Sequence, residues 1–362
     1  MSATDGATYA PAPMPAPVVE PGDFTIAAIG LDHGHIFGMC EGLIGAGAQL
    51  KWVYDPDPGK VADFTSRFPG VQAARSEEEI LADDDVHLVA GAAIPSERAG
   101  LGIRVMNAGK DYFTDKTPLT TLDQLEAAKE AVATTGRKYA VYYSERLHVE
   151  ASVFAGQLID DGAIGRVLQV IGMGPHRLRA QTRPEWFFQR EKYGGILTDI
   201  GSHQIDQLLY YTGSRDAEVV RSQIANYNNP DHPELDDFGD AMLVTDTGAS
   251  GYFRCDWFTP DGLQMWGDGR MFILGTEGFI EQRKYMNIGT ADGPGHVFLA
   301  NGSEERHYDV DGKVGYPYFG QLILDCLERT ENAMTQAHAF KAVELAVRAQ
   351  AQAVDLVPRP GL

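Results

Sequence analysis

Three cysteines in 362 residues, Cys40, Cys255 and Cys326, are too few and too widely spaced for a disulfide framework or a thiolate metal site. Basic residues are also scarce. Against 51 Asp and Glu there are 30 Lys and Arg, and the net charge of −21 repels phosphate backbones and anionic lipid heads at long range. No nucleic acid and no membrane partner is expected. The first basic side chain is Lys51, so the N-terminus lacks both the charged start of a secretory peptide and a twin-arginine pair, and no apolar run approaches the ~18 residues of a spanning helix. These absences point to a cytoplasmic protein. Apolar residues and glycine are plentiful instead: 44% of the chain is hydrophobic, with 16 Phe and 15 Tyr, which is enough for a sizeable core. The 40 glycines favour an α/β protein with many turns over a helical bundle.

Three stretches differ in texture. Residues 1–22 carry Pro11, Pro13, Pro15, Pro17 and Pro21 among small residues and read as a Pro/Ala-rich tail with no core of its own. Over residues 23–145 short apolar strands alternate with helices: strands near 24–29, 50–54, 86–90, 111–114 and 138–143, and helices near 36–46, 58–68, 76–82, 96–108 and 122–134. Ser76 and Glu79 are spaced as a capping box. Such alternation predicts a doubly wound parallel sheet. Over residues 146–362 longer alternating stretches at 167–171, 241–245, 251–257, 270–274 and 279–282 predict a mostly antiparallel sheet, with helices at 150–160, 196–211, 318–329 and 337–354. The expected architecture is an α/β chain: a nucleotide-binding domain, then an α+β domain with a large open sheet.

The first strand runs into Gly30-Leu31-Asp32-His33-Gly34-His35 and a helix, the place of a dinucleotide-binding turn. Gly30 supplies the first glycine of GxGxxG, but Asp32 and His35 stand where the second and third belong. Asp55, at the end of the second strand, is placed to accept hydrogen bonds from an adenosine ribose and to repel a 2′-phosphate, which favours NAD over NADP. His33, Gly34 and Pro95 belong to the same predicted cofactor mouth. The pair His33 and His35 invites a metal reading, as does the trio Asp199, His203 and Asp206, but neither has a further ligand cluster in sequence, and no metal is expected.

At the end of a parallel strand lies Asp115-Lys116-Thr117-Pro118, where a lysine can stabilise a substrate oxygen. The run Gly194-Gly195-Ile196-Leu197-Thr198-Asp199-Ile200-Gly201-Ser202-His203-Gln204-Ile205-Asp206 places Asp199, His203 and Asp206 on one helix face, opposite Ile200, Leu208 and Leu209, so that Asp199 and His203 face solvent, each other or a ligand. Arg146 and His148, after the last strand of the first domain, and His176 and Trp186, before the Gly-Gly run, are candidate substrate contacts, with a surface or salt-bridging role as the alternative.

With these motifs the sequence resembles the Gfo/Idh/MocA oxidoreductases over residues 24–355. The most specific element is the set Gly194, Gly195, Asp199, Gly201, His203 and Asp206. The family's Glu-Lys-Pro is here Asp115-Lys116-Thr117-Pro118, and Ile94-Pro95-Ser96 with Ala99 replaces the usual Thr-Pro-Asn and histidine. The resemblance implies a Rossmann domain, a second open-sheet domain often used for oligomerisation, and a cleft between them. It implies Lys116, Asp199 and His203 as catalytic residues and, with Asp115 added, the cofactor mouth described above. The expected function is an NAD-preferring dehydrogenase acting on a secondary alcohol of a sugar, cyclitol or sugar derivative, assembled as a homodimer or homotetramer. Two rivals remain: redox-neutral, NAD-dependent glycoside cleavage on the same fold, and a non-catalytic NAD- or sugar-binding regulator.

Overall fold

The structure, a computed structural model, describes residues 15–290 and 293–357. The chain divides into two compact units. The first comprises the described residues up to Tyr142 together with Gly315–Phe340. Its six strands, β1 (Thr25–Ile29), β2 (Gln49–Tyr54), β3 (Gln72–Ala73), β4 (Leu88–Gly91), β5 (Asp111–Asp115) and β6 (Tyr139–Tyr142), are all parallel in the order β3-β2-β1-β4-β5-β6. Every residue of β1, β4 and β5 is buried, as a parallel sheet covered on both faces requires. The strands alternate with α1 (His35–Gly45), α2 (Pro58–Arg67), α3 (Glu77–Leu81), α4 (Pro95–Asn107) and α5 (Leu122–Thr135). Strand order reverses between β1 and β4, so the turn from β1 to α1 lies at the switch point where such sheets bind ligands.

The return of Gly315–Phe340 to this unit departs from a single cut near residue 145. The helix Pro317–Glu328 packs on α1, where Phe319 occupies the space of a side chain at Gly42: a Cβ there would lie 2.3 Å from the ring. Arg329 then grips Asp111 through both terminal nitrogens, at 2.6 and 2.9 Å. Of the proline-rich tail, residues 1–14 lie outside the described residues. Val18, within its described part, donates its N–H to the Ala46 carbonyl at the end of α1 (2.9 Å).

The second unit comprises Tyr143–Val314 and the described residues from Lys341 onward. Its sheet has nine strands: β7 (Val167–Pro175), β8 (Ala217–Ala225), β9 (Phe238–Thr245), β10 (Ser250–Asp256), β11 (Arg270–Gly275), β12 (Gly278–Arg283), β13 (His296–Asn301), β14 (Glu305–Asp309) and β15 (Val354–Asp355). They are ordered β14-β13-β12-β11-β7-β10-β9-β8-β15, antiparallel except for the pairs β7/β10 and β8/β15. The helices α6 (Ser144–Leu147), α7 (Glu150–Asp160), α8 (Arg190–Tyr193), α9 (Ile196–Asp199) and α10 (Gly201–Thr212) accompany them, with the helix Gln336–Ala351 from Lys341 onward. One face of the sheet is covered by α7 and α10; the other leaves Met242, Val244, Tyr252, Phe272, Leu274 and Phe279 exposed. Among the described residues no helix is long and apolar enough to cross a membrane.

Candidate active site

The cofactor-side residues all belong to the first unit. Gly30, with φ +75°, has no room for a side chain, because a Cβ would lie 2.8 Å from that of Ala93. The turn is tied to the end of β2 by Asp55, whose Oδ2 accepts from the Leu31 N–H (2.7 Å) and whose Oδ1 accepts from the Asp57 N–H (2.9 Å). His33 N–H donates to the Ala92 carbonyl (2.9 Å). The N-cap of α1 is Gly34, which brings no side chain of its own; in the first turn the His35 N–H donates to His33 Nδ1 (3.4 Å) and the Ile36 N–H to the His33 carbonyl (3.3 Å). A tight glycine turn leading into a helix N-terminus and a carboxylate at the neighbouring strand end fit a dinucleotide. Of the two side chains that depart from the pattern, Asp32 is paired with Lys60 (2.6 Å) and His35 with Asp115 (2.8 Å).

Asp115, wholly buried at the end of β5, gathers the rest. Its Oδ1 lies 2.8 Å from His35 Nδ1, and its Oδ2 lies 3.0 Å from His33 Nδ1 and 3.1 Å from Arg98 Nη2. Burial alone would raise this carboxyl, but His35, Arg98 and His33 hold it well below the usual carboxylate range. His33 is pushed down to about 4, by burial first and by His35 second. His33, His35 and Asp115 thus form the three-donor group that was not evident in sequence. Arg98 already neutralises the carboxylate, and His35 opens α1 at its positive end, so the local charge opposes a cation there.

Arg98 was not singled out from the sequence, yet it organises the end of β5. Its Nε donates to the Ala93 carbonyl (2.6 Å), and its Nη1 donates to the carbonyls of Thr117 (3.0 Å) and Lys116. The segment that leads into α4 through Ala93 and the segment carrying Lys116 are therefore held by one buried guanidinium. Lys116 is 6% exposed, and the Lys116–Thr117 peptide is cis.

Asp199 and His203 belong to the second unit, and the Gly-Gly run explains their placement. Gly194 and Gly195 adopt φ of +87° and +91°, turning the chain from α8 into α9. The Gln350 amide lies beside Gly195, its Oε1 accepting from the Leu197 N–H (2.9 Å) and its Nε2 donating to Asp236 (3.0 Å), which also binds Arg190 (2.5 Å). The single helix expected over 196–211 is divided at Ile200 into α9 and α10. Asp199, at the end of α9, and His203 and Asp206, on α10, are all buried, at 8%, 2% and 0% exposure, and α10 is enclosed on its polar side as well as on its apolar side.

That polar side meets α6. Arg146 makes a two-pronged pair with Asp206 (2.7 and 2.8 Å) and stacks its guanidinium over Tyr210. Its Nε and Nη2 are thus engaged within the protein. Glu145, next to it, accepts from Lys284 (2.5 Å) and from Gln204 (2.9 Å). Burial would raise the Glu145 carboxyl, but Lys284, His203 and His176 bring it down to about 2. Lys284 was not foreseen; a lone lysine at the end of a strand gives no signal of burial. His148 is buried at the end of α6. His176 accompanies Trp257 and Trp266, with ring centroids 5.4 and 4.6 Å away, and Trp186 joins this aromatic cluster through Phe187, which lies 5.2 Å from Trp257. A carboxylate, imidazoles, an ammonium and indole rings are thus gathered among the buried residues of this unit.

Comparison with known proteins adds independent findings. Residues 28–143 match the profile described as "Oxidoreductase family, NAD-binding Rossmann fold", and residues 153–281 match that of the GFO/IDH/MocA C-terminal domain. Scyllo-inositol 2-dehydrogenase (NAD(+)) of Bacillus subtilis strain 168 is 28% identical over 257 residues, 70% of this chain and 72% of that protein. A crystal structure from Erwinia carotovora atroseptica SCRI1043 matches with a TM-score of 0.90 at 54% identity, over 92% of this chain and 100% of that one. Levoglucosan dehydrogenase in complex with NADH shares the fold, with a TM-score of 0.73 at 20% identity over 91% and 97% of the two chains.

Proposed function

Because the chain belongs to the Gfo/Idh/MocA oxidoreductase family, with its NAD-binding Rossmann domain, we propose that it is a dehydrogenase acting on a secondary alcohol of a sugar, cyclitol or sugar derivative. The observation that carries this reading is the pairing of a dinucleotide turn built on Gly30 and Asp55 with Lys116 at the end of the buried strand β5, in a chain that also buries Asp199 and His203. The scyllo-inositol dehydrogenase relative supports a polyol substrate. NAD supplies the hydride acceptor when bound. His203 acts as general base, taking the hydroxyl proton of the substrate. Asp199 orients it, and Lys116 holds the reacting oxygen and stabilises its alkoxide character. His148, His176 and Trp186 bind the polyol, while Arg146 supports them through Asp206 on α10.

Turnover of NAD with a panel of cyclitols, aldoses and simple glycosides, with product analysis in the same reactions, tests this reading. NADH in large excess over enzyme with one class of polyol supports it. A glycoside cleaved in an NAD-requiring reaction without NADH accumulation replaces it by the redox-neutral rival, and tight ligand binding with no chemistry replaces it by the regulatory one.

The assembly belongs to the same proposal: a homodimer or homotetramer through the open face of the nine-stranded sheet. Met242, Tyr252, Ile171 and Phe272 stand opposite one another across β9, β10, β7 and β11, and an apolar row of this kind on a soluble domain is suited to a copy of itself. A cytoplasmic location is supported by the three buried thiols, Cys40, Cys255 and Cys326.

A further inference from the structure

Asp32 presents an electrostatic problem. It replaces the second glycine of the dinucleotide turn, and an uncompensated carboxylate there would oppose the negative charge of a pyrophosphate. The compensation comes from the next βα unit. Asp57 caps α2, its Oδ1 accepting from the Gly59 N–H (2.8 Å), and this fixes the first turn of the helix so that Lys60 faces back towards β1. Lys60 Nζ lies 2.6 Å from Asp32 Oδ1 and 3.7 Å from Asp55 Oδ1. The three side chains are 35%, 17% and 1% exposed respectively, so the ammonium sits at the mouth with Asp55 beneath it. Asp55 spends one acceptor position of each oxygen on the Leu31 and Asp57 N–H groups and retains others for a ribose.

We propose that Lys60 is a cofactor-selecting residue: bound to Asp32 it cancels the charge of the turn and admits NAD, and set free of Asp32 it becomes the cation that accepts a 2′-phosphate beside Asp55. The inference rests on the NAD reading above and deepens it. With Asp32, Asp55 and Asp57 around a single ammonium, the mouth carries a net negative charge, which disfavours a ribose bearing a phosphate. Removing the Asp32 charge leaves the ammonium nearest to Asp55 and shifts the balance towards NADP. Removing the Lys60 charge instead leaves two carboxylates facing the dinucleotide and weakens both forms, NADP the more.

Equilibrium titrations of the full chain with NADH and with NADPH, read by calorimetry alongside thermal melting, test this directly. Asp32→Asn is expected to raise NADPH affinity relative to NADH by about tenfold, the equivalent of 1.4 kcal/mol. Lys60→Ala is expected to weaken NADH by about tenfold, Lys60→Arg to retain it, and the double variant Asp32→Asn, Lys60→Ala to recover NADH binding while NADPH stays weak. An unchanged NADH to NADPH ratio in a folded Asp32→Asn variant overturns the proposal, as does NADH binding in Lys60→Ala equal to the wild type. Wild-type protein that binds neither nucleotide overturns the NAD reading itself, and the inference with it.

Discussion

Lys116, Asp199 and His203 stood out in the sequence because each sits in a local pattern, a lysine at the end of a strand and polar residues one helical turn apart after a Gly-Gly turn, and their proposed catalytic roles come from the family resemblance. Arg98 and Lys284 could not. Each is a single charged residue whose burial depends on partners distant in the chain: Asp115 and the Lys116 carbonyl for Arg98, Glu145 for Lys284. Of the three settings expected for Asp199 and His203, solvent, each other or a ligand, their burial removes the first, and the polar groups of α6 cover the α10 side carrying Asp206 and Gln204. Replacement of His203 or of Lys116 by alanine is expected to lower kcat by ~100-fold or more, with the fold retained by circular dichroism. Full activity in either variant removes that residue from the mechanism. His33 gives a pH prediction of definite sign. Its folded value near 4 lies below the ordinary 6.5, so as pH falls the unfolded chain takes up the proton first, and stability is lost between pH 6.5 and pH 4. Above pH 6.5 the group contributes no slope. Urea unfolding of the nucleotide-free protein at pH 7 and pH 5 is expected to show a loss that His33→Asn reduces by up to ~2 kcal/mol. An equal loss in the variant would show that His33 is protonated in the fold.

At the scale of elements, apolar runs were read well where burial is complete. β1, β4 and β5 are buried at every residue, and their sequences show it. β8 and β14 were not singled out, because Glu218 and Arg221 in the one and Glu305, Arg306 and Asp309 in the other blur the alternation. The expected capping box at Ser76 is half formed: Ser76 accepts from the Glu79 N–H, but the Glu79 side chain reaches the Arg75 N–H. A complete box forms at Thr121 and Gln124, opening α5. The helix Pro317–Glu328 was anticipated, but its membership of the first unit was not, since packing between distant segments leaves no periodicity to read. Gly42→Val tests that packing. With Phe319 already in the space of the new side chain, the substitution is expected to destabilise the first unit by about 1–3 kcal/mol in denaturant unfolding. A neutral result would place that helix elsewhere.

For the whole molecule, the α/β architecture and the family followed from motif order, while the self-association proposed above rests on the exposed sheet face. Light scattering of the purified protein is expected to give a dimer or tetramer, and Met242→Lys combined with Phe272→Lys is expected to yield folded monomers. Persistence of the oligomer in that variant would place the interface on another surface. The central claim is hydride transfer from a polyol carbon to NAD, and its most direct test uses a polyol substrate from the panel deuterated at the reacting carbon. Absorbance and mass spectrometry then follow the reduced nucleotide. The account predicts NADH in many-fold excess over enzyme and carrying the substrate's deuterium. Reduced nucleotide without deuterium, or none formed with any polyol of the panel, would contradict it.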